Sequence, residues 1–584
     1  MNYKLQRGLT FIFFLFMSLL GIFCIIFEPG FGSRLTGLAE LYFDLLLLTA
    51  LIMAVGRFSP VSASVIRIIL YIFFYVVALI DVACYVRLQS SITPIWIEVT
   101  FLTNSQEAKE AVSSFLTPDL LLSKVGVVLL LIALNITTFV LWKRPDIRKR
   151  FVIPSLSSLY RRIFIGCVIV IWAVSGAVLF KEKAYFFYKT VLRYDELKVQ
   201  EKMDFSPKAK NYIPVYRLAY SWSEYKRMKD TRNGLEKAMD KVIVDSCEFT
   251  SPNIVLIIGE SCNRSHSSLY GYDKPTTPYQ ERMAENGELI RFNDVISSWN
   301  VTCESFEYMF SLYGVGDKGS WYEYPLFTQL LKRSGYDMLF LSNQYVQNKA
   351  NSMSRYKEDI FINSPRLSET QFDRRNTERH ELDEGLIADY DALFNPLSEN
   401  TFTIFHFHGL HFDFSERYPS DREYFKPEDY DRPDLNEEQK SILSAYDNAM
   451  RYNDSVIYSI IDRFRDKESI VIFVPDHGEC IFDNCTSWGR TLSWNSNDIR
   501  QQFEIPFWIW ASTSYRENHT DIWESIQRAV DKRFMTDIIS QLILHLAGLS
   551  TPYYNAADDL LSAEYNDRRQ RIIRGEKDFD EICR

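Results

Sequence analysis

Five apolar runs in the first 182 residues constrain this chain more than any other feature. Gly8 to Glu28, Thr36 to Gly56, Ile68 to Val86, Val125 to Trp142 and Ile163 to Phe180 are each close to the ~20 residues that a spanning helix needs. Residues 1–182 therefore read as a helical transmembrane domain. The first run does not read as a signal peptide, because it has no clear small-residue cleavage site and further spans follow. Glu40 and Asp44 in the second run and Asp81 in the third are expected near helix ends or against neighbouring helices. A functional intramembrane acid is the alternative.

Charge sets the orientation. Lys4 and Arg7 precede the first run, and Arg57 and Arg67 flank the second loop. The fourth loop carries Lys143, Arg144, Arg148, Lys149, Arg150, Arg161 and Arg162 against a single acid, Asp146. With five spans these segments share one side, which the positive-inside rule makes the cytoplasm. Everything after Phe180 is then exported, into the periplasm of a bacterium with an inner membrane. The third loop, Arg87 to Asp119, is on the exported side. Its stretch Trp96 to Phe115 reads either as a helix on the membrane surface or as a plain loop. Residues 183–250 mix charge with aromatics and read as linker helices hugging the membrane.

At 584 residues the chain exceeds one ordinary domain. It is 47% hydrophobic and 15% aromatic, which disfavours disorder. Its slightly negative mean hydropathy implies an apolar part joined to a polar one. A net charge of −10 argues against nucleic acid as a partner. The nine cysteines form no small disulfide framework, although Cys480 and Cys485 are close enough in sequence to pair.

From Ser251 onward strands and helices alternate. Strands are expected at Asn253 to Ile258, Asp337 to Ser342, Thr401 to Phe407 and Ser469 to Val474, with a further apolar run at Phe503 to Ala511. Helices are expected at Pro325 to Ser334, with the proline in the first turn, at Glu437 to Arg465, and at Met535 to Leu549. This alternation over residues 251–584 implies an α/β domain, a mostly parallel sheet with helices on both faces.

Three of these strands end in ligand-type residues. Ser469 to Val474 runs through Pro475 into Asp476 and His477, Asn253 to Ile258 into Gly259-Glu260, and Thr401 to Phe407 toward His408 and His411. Sites in open α/β sheets collect at the carboxyl ends of strands. Carboxylate oxygens and imidazole nitrogens suit a divalent metal, and zinc takes about four such ligands, with one position left open in catalytic sites. Glu260, Asp476 and His477 supply three, although an Asp-His pair can equally cap or bridge. The hydroxyl-rich segment DVISSWNVTCESFEYMFS offers Ser297, Ser298, Thr302, Cys303 and Ser305 as nucleophiles, and residue physics alone does not choose among them. Thr302 or Ser305 could equally be a helix N-cap.

GESCNRSHSSLYGYDKPTTP (Gly259 to Pro278) resembles a signature of bacterial phosphoethanolamine transferases, membrane enzymes of the alkaline phosphatase/sulfatase superfamily. DHGE (Asp476 to Glu479) resembles their second metal motif, YDNAMRYND (Tyr446 to Asp454) their YDNA helix, and TNSQEAKE (Thr103 to Glu110) their exported-loop motif. The resemblance implies Thr302 as nucleophile and Glu260, Thr302, Asp476 and His477 as metal ligands. It places His411 near a second metal or the substrate phosphate, Asn343 and Gln344 among substrate contacts, and Thr103 and Glu107 at the lipid or ethanolamine. A family histidine after DHGE is missing between Ile481 and Trp494, and Arg490 is the candidate to replace its contacts. The cysteine pair that brackets the nucleophile in some members is also absent. The implied cofactor is zinc at one site, with a second metal allowed. The implied reaction has two displacements: Thr302 takes phosphoethanolamine from phosphatidylethanolamine and passes it to lipid A or a lipopolysaccharide core, with His411 as acid or base. A phosphoglycerol transferase of the same superfamily, or a catalytically inactive membrane sensor, are the rival readings.

Overall fold

A computed structural model of the protein describes residues 3–27, 34–88, 92, 97, 118–150, 158–186, 214–346, 360–485, 488–491 and 493–584. The chain divides into two compact units, Met1–Met228 and Lys229–Arg584.

In the first unit the apolar runs are helices: α1 (Tyr3–Phe27), α2 (Arg34–Phe58), α3 (Pro60–Leu88), α4 (Lys124–Lys143) and α5 (Ser158–Phe186). Among the described residues, four stretches are long and apolar enough to cross a membrane: Leu5–Ile26, Gly37–Phe58, Pro60–Val86 and Lys124–Lys143. The fifth run lies inside α5, where the described apolar stretch Ile165–Ala177 is shorter. Phe13, Ile52, Val82 and Val128 pack into a shared core, while Leu51, Ile72, Leu130 and Ile171 face outward. Outward apolar side chains suit a hydrocarbon surround.

Asp44 and Asp81 face neighbours, as expected, and Glu40 is buried. Helix α6 (Pro214–Met239) brings Tyr216, whose hydroxyl donates to Asp44 Oδ2 at 2.7 Å, and Arg217, whose Nε lies 3.1 Å from Asp81 Oδ1. A charge in hydrocarbon is costly unless paired, and Arg217 supplies Asp81 with that partner. Thr103, Glu107 and the whole TNSQEAKE segment lie outside the described residues.

The second unit is built on a seven-stranded sheet. Its strands are β1 (Asn253–Gly259), β2 (Leu289–Arg291), β3 (Asp337–Ser342), β4 (Arg374–Arg375), β5 (Thr401–His406), β6 (Ser469–Pro475) and β7 (Trp508–Ala511), in the spatial order β2-β7-β6-β1-β5-β3-β4. From β6 to β4 the strands are parallel, and β7 runs antiparallel to both β6 and β2. β3, β5 and β6 are buried at every position, which explains their near-continuous apolar sequences. On one face Val255, Phe405 and Val471 pack against α10 (Glu437–Asp462) through Tyr446, Ile457 and Ile461. On the other, Phe402 meets Phe327 of α9 (Phe327–Ser334), with ring centroids 5.7 Å apart.

Several boundaries differ from the sequence expectation. Pro325 precedes α9 rather than opening it, and its carbonyl accepts from Leu312 N at 3.0 Å. Phe503 to Ala511 contributes a strand only from Trp508, because Phe503 closes α11 (Ser496–Phe503). Met535 to Leu549 is helical only over α12 (Ile539–Ala547), since Phe534–Met535 pairs as a short parallel strand with Val295–Ile296. Tertiary pairing takes residues that local pattern assigns to helix.

Candidate active site

Register aligns the strand ends. Ile258 stands opposite His406 on one side and Val474 on the other, and Gly259 faces Pro475. The residues that follow, Glu260 and Asp476, therefore emerge together. Glu260, Asp476 and His477 are all fully buried, and their ligand-type atoms lie within 4.8 Å of one another.

The backbone after β1 makes a sharp turn. Ser261 has a left-handed φ of 56°, a conformation costing about 1–2 kcal/mol for a non-glycine residue. Three bonds offset it. Its amide donates to Asp476 Oδ1 at 3.0 Å, its hydroxyl donates to Glu260 Oε1 at 2.8 Å, and its carbonyl accepts from the Tyr446 hydroxyl at 2.7 Å. Tyr446 comes from α10, and the adjacent Asp447 accepts from the Tyr272 and Tyr430 hydroxyls and contacts His266 Nδ1 at 2.7 Å. The YDNA helix thus holds the GYDKPTTP segment in place. Two glycines are required by contact. A Cβ on Gly409 would stand about 3.0 Å from Glu260 Cβ, and one on Gly478 would stand 2.4 Å from the Gln501 carbonyl.

The Glu260 carboxylate is held from both ends. Oε2 accepts from Gln344 Nε2 at 2.8 Å and from the Thr302 hydroxyl at 3.1 Å. Gln344 also donates to the Phe407 carbonyl at 2.8 Å and lies 3.2 Å from His406 Nε2. His406, buried at the end of β5, is pushed down to about 3 by burial, partly opposed by Glu260, so it is neutral.

Thr302 is the first residue of α8 (Thr302–Phe310). Its N-cap is Val301, with no side-chain cap bond. The N-cap reading of Thr302 is therefore replaced: its hydroxyl points at Glu260. Ser305, inside the helix, donates to the Trp299 carbonyl at 3.2 Å, and Ser297 and Ser298 are fully buried. Of the five nucleophile candidates, Thr302 is the one whose hydroxyl the described bonds bring to Glu260.

His477 Nδ1 donates to the Gly478 carbonyl at 2.8 Å, so Nε2 carries the lone pair. Burial pushes this imidazole down to about 4, with Arg490 adding to the effect and Glu260 opposing it. Nε2 lies 3.3 Å from Asp476 Oδ2 and 3.7 Å from Glu260 Oε1. Asp476 Oδ2 is buried without a hydrogen-bond partner, and burial raises this carboxyl's pKa. A neutral imidazole and two carboxylates presenting lone pairs to one point fit a divalent cation, zinc among them.

The rim is looser. Half-buried Arg490 stands with Nη1 3.5 Å from His477 Nε2 and Nε 3.7 Å from Glu479 Oε2. Glu479 is buried and pushed up to about 7 by burial, with Arg490 opposing. His411 is half-buried, its Nδ1 2.7 Å from the Phe412 carbonyl and its ring 5.2 Å from that of His408. Asn343 turns inward, donating to Asp383 Oδ1 at 3.0 Å and accepting from His380 N at 2.7 Å. Sequence reasoning did not single out Ser261, His406, Asp383 or Glu479. Only Glu479 had a local signal, its place in DHGE.

Residues 252–549 match the Sulfatase family. Among curated relatives, phosphoethanolamine transferase EptC of Escherichia coli (strain K12) is 26% identical over 324 residues, 55% of each chain. Kdo(2)-lipid A phosphoethanolamine 7''-transferase of Salmonella typhimurium is 27% identical over 327 residues, 53% of each chain. The chain spans about half the length of the curated relatives it matches. Among solved structures, the zinc complex of the C-terminal periplasmic domain of EcEptC from Escherichia coli aligns with a TM-score of 0.50 at 25% identity. The alignment covers 58% of this chain and 95% of that one.

Proposed function

The chain belongs to the Sulfatase family, and on that premise we propose that it is a membrane-anchored phosphoethanolamine transferase. In this reading residues 1–182 are the transmembrane domain, 183–250 a membrane-surface linker and 251–584 the catalytic domain, facing the periplasm from the inner membrane. The donor is phosphatidylethanolamine, and the acceptor is lipid A or a lipopolysaccharide core, in keeping with the names of the relatives. The observation that carries the reading is the Thr302 hydroxyl 3.1 Å from Glu260 Oε2, beside the buried Asp476 and His477.

Glu260, Asp476, His477 and the Thr302 oxygen would hold the zinc, which when bound supplies a positive charge that favours the ionised hydroxyl and the developing charge on phosphate oxygens. The residues do the rest. Glu260 Oε2 receives the hydrogen bond from Thr302, which points the proton along the direction in which it must leave. Gln344 and Ser261 fix that carboxylate, so little reorganisation accompanies the transfer. Thr302 Oγ attacks the donor phosphorus; the Oγ–P bond forms and the bond to the diacylglycerol oxygen breaks. His411 at the rim gives that oxygen a proton. An acceptor oxygen then attacks the same phosphorus, its proton passing to His411, and the P–Oγ bond breaks as Thr302 Oγ takes its proton back from Glu260 Oε2. Arg490 contacts the phosphate from the open side, and Thr103 and Glu107 belong to the donor-lipid path. Anchoring both lipids beside the site raises their effective concentration.

Intact-mass and peptide mapping of the full chain purified from membranes, beside Thr302→Ala, tests this. A phosphoethanolamine-sized adduct on Thr302, absent in the variant, is expected. A phosphoglycerol-sized adduct would transfer the reading to the phosphoglycerol branch, and no adduct with no bound metal would remove the enzyme reading.

A further inference from the structure

The sheet brings a second polar feature to the edge that carries the candidate site. Because β7 runs antiparallel to β6 and to β2, Glu504, which precedes β7, and Asp294, which follows β2, leave the sheet on the edge where Glu260 and Asp476 emerge. Between them opens a cavity of about 520 Å³, within the roughly 300–1,000 Å³ typical of small-molecule sites.

Besides Arg584, at the last position of the chain, its walls carry Arg264, Arg500, Arg533 and Arg571 with Asp294, Glu504 and Asp580. The acids are shared. Glu504 takes Arg500 at 3.0 Å and Arg264 as well, and Asp580 takes Arg571 at 2.5 Å and Arg533 as well. One carboxylate neutralises one of the two guanidiniums that it holds. Asp294, the partner of the other branch of Arg571, is 41% exposed at the rim and solvated there. Apart from Arg584, the wall therefore sets four guanidiniums against three carboxylates, of which Asp294 is the most exposed. Planar guanidinium forks match oxyanions, and their mutual pairing here holds them in place before a ligand arrives.

The cavity also shares a wall with the candidate site. Arg264 and Arg500 directly neighbour Asn263 and Gln501, whose side chains are joined at 2.5 Å, and Asn263 Nδ2 donates to the Glu479 carbonyl at 2.8 Å. Gly478 N donates to the Gln502 carbonyl at 2.9 Å.

We propose that this pocket binds an oxyanion carried on a saccharide, a phosphate monoester or a carboxylate distinct from the reacting group, and so selects the acceptor. The saccharide and the acceptor role rest on the transferase reading above, whereas the oxyanion rests on the guanidinium-lined wall.

Glucose 1-phosphate and glucuronate are the probes, titrated against the full chain in detergent. Wild type and Thr302→Ala are expected to bind alike, and whichever probe binds more tightly names the oxyanion. Arg500→Gln and Arg533→Gln should each weaken binding about tenfold, the worth of one charge-assisted hydrogen bond. Arg500 is 44% exposed in an i,i+4 pair, so its variant should keep the fold, checked by its melting temperature. No binding of either probe by wild type, or unchanged binding in both arginine variants, overturns the pocket. The Thr302 adduct is measured in the same preparations. Its absence from wild type sinks the transferase and leaves the pocket's result readable; its presence without saccharide binding sinks the pocket alone.

Discussion

The two sides of the candidate site are built differently. On the inner side Glu260, Asp476 and His477 are fully buried, at the ends of paired central strands, with carboxylate and imidazole orientations fixed by Ser261, Gln344 and the Gly478 carbonyl. On the outer side His411 and Arg490 are half-buried, on loops, with Arg490 3.5 Å from His477 Nε2 and 3.7 Å from Glu479 Oε2. Strand ends are fixed by sheet register, whereas loop residues can adjust. The inner side suits invariant chemistry and the outer side suits recognition.

The largest expected effect is at the meeting point of the two sides. Thr302→Ala should remove the covalent adduct and lower turnover of labelled phosphatidylethanolamine by at least about 10³-fold. A variant that keeps a tenth of wild-type turnover would break the distinction, because the reacting group would then lie elsewhere. Next, Asp476→Asn should lower the bound zinc, counted by elemental analysis of the purified protein, and cut activity by about 100-fold or more. Chelation of wild type followed by added zinc should restore activity, and full activity in the chelated protein would refute metal dependence.

Gln344→Ala sharpens the comparison, since Gln344 acts through Glu260. A loss of roughly 10–100-fold in metal affinity is expected. If only KM for the lipid changes, Gln344 belongs to the recognition side instead. Arg490→Ala should show the opposite pattern, a KM increase of about tenfold with kcat little changed, the worth of one charge-assisted hydrogen bond.

The smallest effect concerns the scaffold. His266 is buried, which alone would lower its pKa, but Asp447 and Asp483 outweigh burial and raise it to about 10 from an ordinary 6.5. A raised pKa stabilises the fold fully below about 6.5, and that contribution fades as pH climbs and is gone past about 10. Melting temperature should therefore fall between pH 7 and pH 10, and the fall should flatten in Asp483→Asn. An equal fall in that variant would assign the loss to other groups.

Much of this was legible because the relevant interactions are local or repeat along the chain. NIVLIIG and SIVIFVP read as strands since both faces are covered, and Glu260 and Asp476 read as site candidates since they end those strands. The resemblance carried by GYDKPTTP and DHGE agrees with the Sulfatase match and with the transferase relatives. In the structure GYDKPTTP and the YDNA helix are mainly scaffold, with Tyr446 and Asp447 clamping the turn after β1. The choice among Ser297, Ser298, Thr302, Cys303 and Ser305 was not legible. It depends on where α8 begins relative to Glu260, 42 positions earlier in the chain.

By itself the sequence determined the apolar helices, the α/β alternation, the family and the residues that end the central strands, because hydrophobic periodicity and short motifs are properties of neighbouring positions. Only the tertiary structure decided that β7 reverses direction, that Ser261 and Gln344 lock Glu260, that Arg490 reaches His477, and that five arginines line one cavity. The Gln344–Glu260 contact and the arginine cluster join residues tens to hundreds of positions apart, and their geometry exists only once the sheet has set the register.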